Sequence, residues 1–292
     1  MAGLSEFAFL PENAEQAGVT GPLPSVERVH AGAVSALRWG ERSPRLIFLH
    51  GGGQNAHTWD TVIVGVGEPA LAVDLPGHGH SDWRDDGDYA PQRNAAALAP
   101  VLRELAPDAN LVVGMSLGGL TAIGLAAAAP ELVAELMLVD VTPSALRRHA
   151  ELTADQRGTV ALMHREREFP SFAAMLELTT AAAPHRDKKS LRRGVFHNSR
   201  QLDDGRWTWR YDTMRTTPDF AGLWDAVAAM TAPITLVRGG GSGFVTDEDA
   251  DELAQRATHF VGVHIVENSG HSVQSDQPRA LIDIVRTVLD TR

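Results

Sequence analysis

The sequence predicts an α/β protein with a mostly parallel central sheet flanked by helices and an inserted helical cap. Three observations lead there. Short apolar runs, Leu46-Ile47-Phe48-Leu49, Leu71-Ala72-Val73, Leu111-Val112-Val113 and Leu136-Met137-Leu138-Val139, recur along the first half of the chain. They alternate with stretches of helical spacing, notably Asn94 to Leu105 and Leu117 to Ala128. Runs too short for helices and apolar on both faces are strands covered by helices on two sides, which is the parallel-sheet arrangement. The rhythm then lapses after Val141-Thr142-Pro143 and resumes at Ile234-Thr235-Leu236-Val237, as an insertion over the C-terminal edge of the sheet would make it do.

The other elements follow from the same rules. Residues 1–24 hold Pro11, Pro22 and Pro24 among Ala, Glu and Gly, a mixture that permits one short helix and reads mainly as a lead-in arm without chemistry. Between Val26 and Trp39 two alternating runs are broken at Ala31-Gly32, an antiparallel pair opening the sheet. A last strand at Val263-His264-Ile265-Val266 leads into Asn268-Ser269-Gly270-His271, and an amphipathic helix from about Gln277 to Leu289 closes the chain. The expected division is a core of residues 1–142 and 233–292, with 1–24 as its arm, and a cap of residues 143–232 over the site.

Composition narrows the function. A chain of 292 residues that is 43% hydrophobic can bury one large core and still carry an insertion. Its 37 acidic against 26 basic residues argue against a nucleic-acid or polyphosphate partner, which needs clustered cations. The absence of cysteine excludes a disulfide, a thiolate metal site and a cysteine nucleophile, and suits a reducing compartment. Met1-Ala2-Gly3-Leu4-Ser5-Glu6 lacks the basic start of a signal peptide, and no segment approaches the run of about 20 apolar residues that spans a bilayer. The expectation is a cytoplasmic protein acting on a small molecule, with no integral membrane segment, cofactor or metal.

Gly114-Met115-Ser116-Leu117-Gly118 fits Gly-x-Ser-x-Gly. A glycine-rich turn with an incidental serine fits it too; the apolar strand before it and the Ala-rich helical run after it favour a nucleophile on a sharp strand-to-helix turn. A neutral hydroxyl needs a neighbouring base. Of the twelve histidines, His271 is the best placed, in a turn beyond the last strand, although a solvated surface histidine is the plainer reading of such a loop. The base in turn needs an orienting acid. The loop after Ile234–Val237 reads Arg238-Gly239-Gly240-Gly241-Ser242-Gly243, with Ser242 and no carboxylate. Asp140, at the end of the strand beside the nucleophile strand, is the preferred acid, its structural alternative being to cap the turn Val141-Thr142-Pro143. Asp247 is the reserve, which otherwise caps a helix together with Glu248 and Asp249.

His50-Gly51-Gly52-Gly53-Gln54-Asn55 follows the first parallel strand, where a glycine-rich turn can aim the N–H of Gly52 at an oxyanion alongside the N–H of Leu117. A plain tight turn also uses glycines. In Asp74-Leu75-Pro76-Gly77-His78-Gly79-His80-Ser81-Asp82 the spacing His-x-His-x-Asp resembles the start of a binuclear metal-hydrolase motif. Trp83 stands where that motif needs a further histidine, so a packed loop is preferred.

On these strings, His50 through Trp59, Asp74 through Ser81 and Gly114 through Gly119, the chain resembles the α/β-hydrolase superfamily, and more closely a mycobacterial serine carboxylesterase with a cap domain. The likeness runs nearly full length, through Leu191-Arg192-Arg193-Gly194-Val195-Phe196-His197-Asn198 as well. It implies the α/β-hydrolase fold and hydrolysis of carboxylic esters with short to medium apolar acyl chains, with Ser116 as nucleophile, His271 as base and Gly52 as an oxyanion donor. The superfamily's order of Ser, acid and His admits Asp140, while Ser242 departs from its usual pattern. Thioester, lactone or carbon–carbon bond hydrolysis would use the same triad, and a non-catalytic binding protein on this fold is the rival of another class. Met163, Phe169, Phe172, Met175, Leu176, Phe196 and Trp207 either line an acyl pocket or form the cap's own core. Arg192, Arg193 and Arg210 either flank the mouth or solvate the cap.

Overall fold

The computed structural model describes residues 4–164, 167–216 and 219–291. Six strands come first: β1 (Val26–Ala31), β2 (Val34–Trp39), β3 (Leu46–Leu49), β4 (Ala70–Val73), β5 (Leu111–Met115) and β6 (Leu136–Val139). Three short ones follow, β7 (Glu168–Phe169), β8 (Ser199–Gln201) and β9 (Trp207–Trp209), and then β10 (Ile234–Gly239) and β11 (Phe260–Val266). Eight of them form one sheet in the order β1-β2-β4-β3-β5-β6-β10-β11. Only β2 runs antiparallel to its neighbours, pairing Val26 with Trp39 across the opening hairpin and Ala36 with Val73 on its other side. From β4 to β11 the sheet is parallel.

Alternate side chains of each central strand enter different cores, because successive residues point to opposite faces. In β3, Ile47 and Leu49 pack with the helices Pro91–Leu105 and Leu117–Ala128, while Leu46 and Phe48 pack with Asp60–Val66 and Pro278–Asp290. The closing helix shows the amphipathic stripe its sequence predicts, burying Leu281, Ile282, Val285 and Val288. Each such side chain contributes about 1.5–3 kcal/mol by leaving water. At the edge, β11 begins three residues earlier than its apolar run predicts. It is covered on one face only, leaving Val261, Val263 and Ile265 exposed on the other. Among the described residues no helix is long and apolar enough to cross a membrane.

Between β6 and β10 the structure adds a sheet to the helices expected there. The antiparallel strands β7-β9-β8 are built from residues such as Trp207-Thr208-Trp209, whose aromatic and β-branched side chains suit a pleated surface. Phe169, Met175, Val195, Trp209 and Tyr211 close a small core beneath it, with Phe172, Leu176 and Trp207 packed against them. The side chain of Met163 lies outside the described residues.

The N-terminal segment is more than a lead-in arm. Residues Leu10–Ala17 form a helix with Pro11 in its first turn and Gly18 in a left-handed cap at φ 78°. Glu12 pairs with Arg192 at 2.5 Å and Arg193 at 3.3 Å, and Glu15 pairs with Lys189 at 3.2 Å. Arg192 also lies 4.9 Å over the ring of Phe9, whose edge meets Phe196 at 5.1 Å. This helix therefore joins the helix Lys188–His197 of the inserted segment to the core.

Just before it, Glu6 accepts from Arg28 at 2.5 Å and meets His57 Nε2 at 2.9 Å, while Asp60 meets His57 Nδ1 at 2.9 Å. Burial opposes a charge on His57, but Asp60 and Glu6 outweigh it and raise the imidazole to about 9 from its ordinary 6.5. A histidine raised in the folded state contributes stability that is complete below its unfolded value and fades as pH climbs through the folded one. The melting temperature should accordingly fall between pH 6.5 and about 9, and His57→Gln should flatten that part of the profile. Parallel profiles for the two proteins would contradict the assignment.

Candidate active site

Ser116 joins β5 to the helix Leu117–Ala128 with φ 50° and ψ −119°. A non-glycine residue in that region costs about 1–3 kcal/mol and persists only where its surroundings over-determine it. Here the Ser116 N–H donates to the carbonyl of Val139 at 3.2 Å, and its own carbonyl accepts from Leu120 at 3.1 Å. A Cβ on Gly118 would lie 2.2 Å from the Leu49 carbonyl oxygen, and one on Gly114 2.6 Å from the Gly119 Cα, so the elbow closes only with glycine at both. The first N–H groups of the helix have no acceptor one turn back, and its positive end faces the space beside Ser116.

The turn after β3 is fixed by two buried neutral histidines. His50 Nε2 accepts from the Leu75 N–H at 2.9 Å, leaving Nδ1–H to donate to the Gly51 carbonyl at 2.8 Å. Burial, reinforced by His78, pushes His50 down to about 3. His78 Nε2 accepts from the Gly53 N–H at 3.1 Å and its Nδ1–H donates to Pro76 at 3.0 Å. Gly51 donates to Gln54 Oε1 at 3.1 Å, and Asn198 of the inserted segment donates to the Gly53 carbonyl. Gly51 presses so near the elbow that a Cβ there would sit 3.3 Å from Ser116 Cβ. Among the described residues, the N–H groups of Gly52 and Leu117 donate to no protein acceptor, and both residues line the cavity that Ser116 lines.

The same bonds account for the His-x-His-x-Asp string. His78 spends both nitrogens on backbone, and the buried Asp74 accepts from Ala56 at 2.7 Å, His80 at 3.0 Å and Arg28 at 2.7 Å. It is a packed loop behind the glycine turn. A separate group, His57, Asp60 and His197, brings one ligand atom each within 4.8 Å of the others. Both nitrogens of His57 face carboxylates, Asp60 and Glu6, and its ring stacks on that of His197 at 3.7 Å and 14°, so His57 is engaged as a donor rather than free as a metal ligand.

His271 Nδ1 lies 2.7 Å from Asp140 Oδ2. Asp140 is fully buried with φ 53°, and its remaining acceptor sites take the Gly239 N–H at 3.0 Å and the Ser242 hydroxyl at 2.5 Å. The proton on Nδ1 leaves His271 Nε2 with a lone pair; that atom is buried and, among the described residues, has no hydrogen-bond partner. Phe244 stacks on the ring at 3.7 Å and 16°. Asp247 stands elsewhere: its side chain is 83% exposed, paired with Arg238 at 2.5 Å, in the first turn of a helix capped by Thr246. Sequence reasoning missed the parts of Ser242 and Phe244. Ser242 had been the visible sign, as the residue standing in place of a carboxylate.

Ser116, His271 and Asp140 line one cavity of about 390 Å³. From the inserted segment it receives Leu191, Val195, Trp209 and Tyr211. Phe169, Phe172, Met175, Leu176 and Trp207 instead serve the segment's own core, and Phe196 packs on Phe9. Arg193 reaches the cavity but is bound to Glu12, as Arg192 is outside it; Arg210 donates to the Ser199 carbonyl at 2.8 Å and lies away from the cavity.

Comparison with known proteins identifies the family. Residues 46–284 match the model of the alpha/beta hydrolase family. The chain is 80% identical to esterase Rv0045c of Mycobacterium tuberculosis over all 292 residues, covering 98% of that protein. It superposes on a solved structure of that esterase with a TM-score of 0.92, over 99% of this chain and all of that one. Lipase LipV of the same organism is 27% identical over 87% of this chain and 97% of its own length. The chain therefore belongs to the alpha/beta hydrolase family.

Proposed function

We propose that the protein is a serine carboxylesterase in which Ser116 attacks the ester carbonyl, His271 takes its proton through Nε2, and Asp140 orients the imidazole. The observation that carries this reading is the 2.7 Å contact between His271 Nδ1 and Asp140, which leaves the basic nitrogen free in the cavity that Ser116 lines. As the carbonyl becomes tetrahedral, the N–H groups of Gly52 and Leu117 hold its oxygen, helped by the positive end of the helix Leu117–Ala128. His271 then gives its proton to the departing alcohol, and water enters through the same base to release the acid.

Residues 143–232 act as a cap over a core of 1–142 and 233–292, and the apolar wall of Leu120, Val141, Leu146 and Phe244 takes a short to medium acyl chain. The name of the M. tuberculosis relative supports ester chemistry. A serine at the elbow speaks for an acyl-enzyme route, on which thioesters and lactones would also turn over. The cysteine-free composition suits work in the cytoplasm.

Ser116→Ala should lower kcat on a short-chain ester by about 10⁴-fold or more with the melting temperature little changed, and should abolish labelling by a fluorophosphonate. Undiminished turnover by the purified variant would end the proposal. Asp140→Asn should cost roughly 10²- to 10⁴-fold, because it leaves the imidazole in the wrong tautomer. Asp247→Asn should change turnover little, and the opposite ranking would move the acid to the β10 side.

A further inference from the structure

Core residues that line the cavity fall into two unlike groups, here called its arms, which follow the two faces of the sheet. Leu120, Val141 and Phe220 belong to the face covered by the helices Pro91–Leu105 and Leu117–Ala128, and form an apolar arm. On the other face, the helices Leu10–Ala17 and Asp60–Val66 contribute Asn13, Asp60 and Thr61, with Gln274 from the short helix Val273–Asp276 after β11.

Two acceptors in this second arm have no partner among the described residues. Asp60 is 3% exposed and Gln274 1% exposed, and the atoms concerned are Asp60 Oδ1 and Gln274 Oε1. Their orientation is fixed by their neighbours. Asp60 Oδ2 is taken by His57 Nδ1 at 2.9 Å and Asn13 Nδ2 at 3.4 Å. Gln54 Oε1 already accepts from Gly51, so the atom of Gln274 that meets it at 3.5 Å must be the amide nitrogen, which turns the Gln274 carbonyl away from Gln54. Buried acceptors left without donors are costly, and a site that holds them selects a ligand that brings the donors. An added cation is disfavoured there: burial pushes the Asp60 carboxyl up, and His57 and Arg193 already supply positive charge beside it.

We infer that this polar arm is a subsite for the hydroxyl groups of an uncharged substrate, so that the preferred esters are amphiphilic, with an apolar part toward Phe244 and a hydroxylated part toward Asp60 and Gln274. The inference rests on the ester-hydrolase reading. Through Gln54 and Gly51 the polar arm adjoins the turn beside Ser116, so a bound hydroxyl would help to set the ester in register with Gly52.

The test compares kcat/KM within two matched pairs, propyl butanoate against glycerol 1-butanoate and p-nitrophenyl butanoate against p-nitrophenyl 3-hydroxybutanoate. These place the hydroxyl on the alcohol side and on the acyl side. In at least one pair the hydroxylated ester should be favoured about tenfold or more, and Gln274→Leu and Asp60→Asn should each shrink that ratio about tenfold. Because Asp60→Asn also disturbs His57 and can harm folding, Gln274→Leu decides where circular dichroism shows Asp60→Asn unfolded. Preference for the plain ester in both pairs, or a ratio untouched by Gln274→Leu, overturns the subsite. Fluorophosphonate labelling of Ser116 in the same preparation separates the two failures. A labelled enzyme without hydroxyl preference loses only the subsite, whereas an unlabelled, inactive one loses the hydrolase reading and the subsite with it.

Discussion

A carboxylate taken wholly out of water must have its lone pairs met by donors, and at Asp140 three elements supply them. The Gly239 N–H and the Ser242 hydroxyl come from the end of β10 and the loop beyond it, and His271 Nδ1 comes from the turn beyond β11. Asp140 itself ends β6 in a left-handed conformation, its N–H bonded to the Val237 carbonyl at 2.7 Å. The carboxylate thus knots three strand ends at one edge of the sheet, and the position of His271 in the cavity that Ser116 lines follows from that knot. Removing a donor would leave a buried charge underpaired, at a cost of about 1–3 kcal/mol or more. Hydrogen bonding at the site and the stability of this edge are therefore one property.

A second constraint concerns what covers the site. The Gly51–Gly53 turn is held from behind by His50 and His78, whose neutral rings each bind backbone through both nitrogens, and from above by Asn198. Asn198 follows the helix Lys188–His197, which is tied through Lys189, Arg192 and Arg193 to the N-terminal helix. The N-terminal segment, the inserted segment and the glycine turn form one continuous path of contacts. Loosening the first thus disturbs the third, although Glu12 lies far from Ser116 in sequence.

Much of this was legible in the sequence, and the exceptions have physical reasons. The buried strands β3 and β6 coincide with their apolar runs because both faces are covered. In β11 the pattern weakened because only one face is. The elbow could be read because Gly114 and Gly118 are demanded by contacts shorter than any side chain tolerates. Asp140 could be picked as the candidate acid only by its place at a strand end; the bond from Ser242 depends on the path of the loop between β10 and the helix Asp247–Arg256, which no periodicity encodes. The N-terminal helix carried its signals, Pro11 and Gly18, but its partners Arg192 and Arg193 lie about 180 residues away in sequence. The polar side of the cavity was invisible for the same reason, since Asn13, Asp60 and Gln274 come to line one cavity only in three dimensions.

The account turns on the proton that Asp140 holds at His271 Nδ1. In protein labelled with ¹⁵N-histidine, the imidazole N–H of His271, assigned by its loss in His271→Gln, should give a proton resonance shifted far downfield by a charge-assisted hydrogen bond. That resonance should vanish or move upfield in Asp140→Asn and persist unchanged in Asp247→Asn. A downfield signal indifferent to Asp140→Asn would place the orienting carboxylate elsewhere and undo the arrangement described for this edge of the sheet.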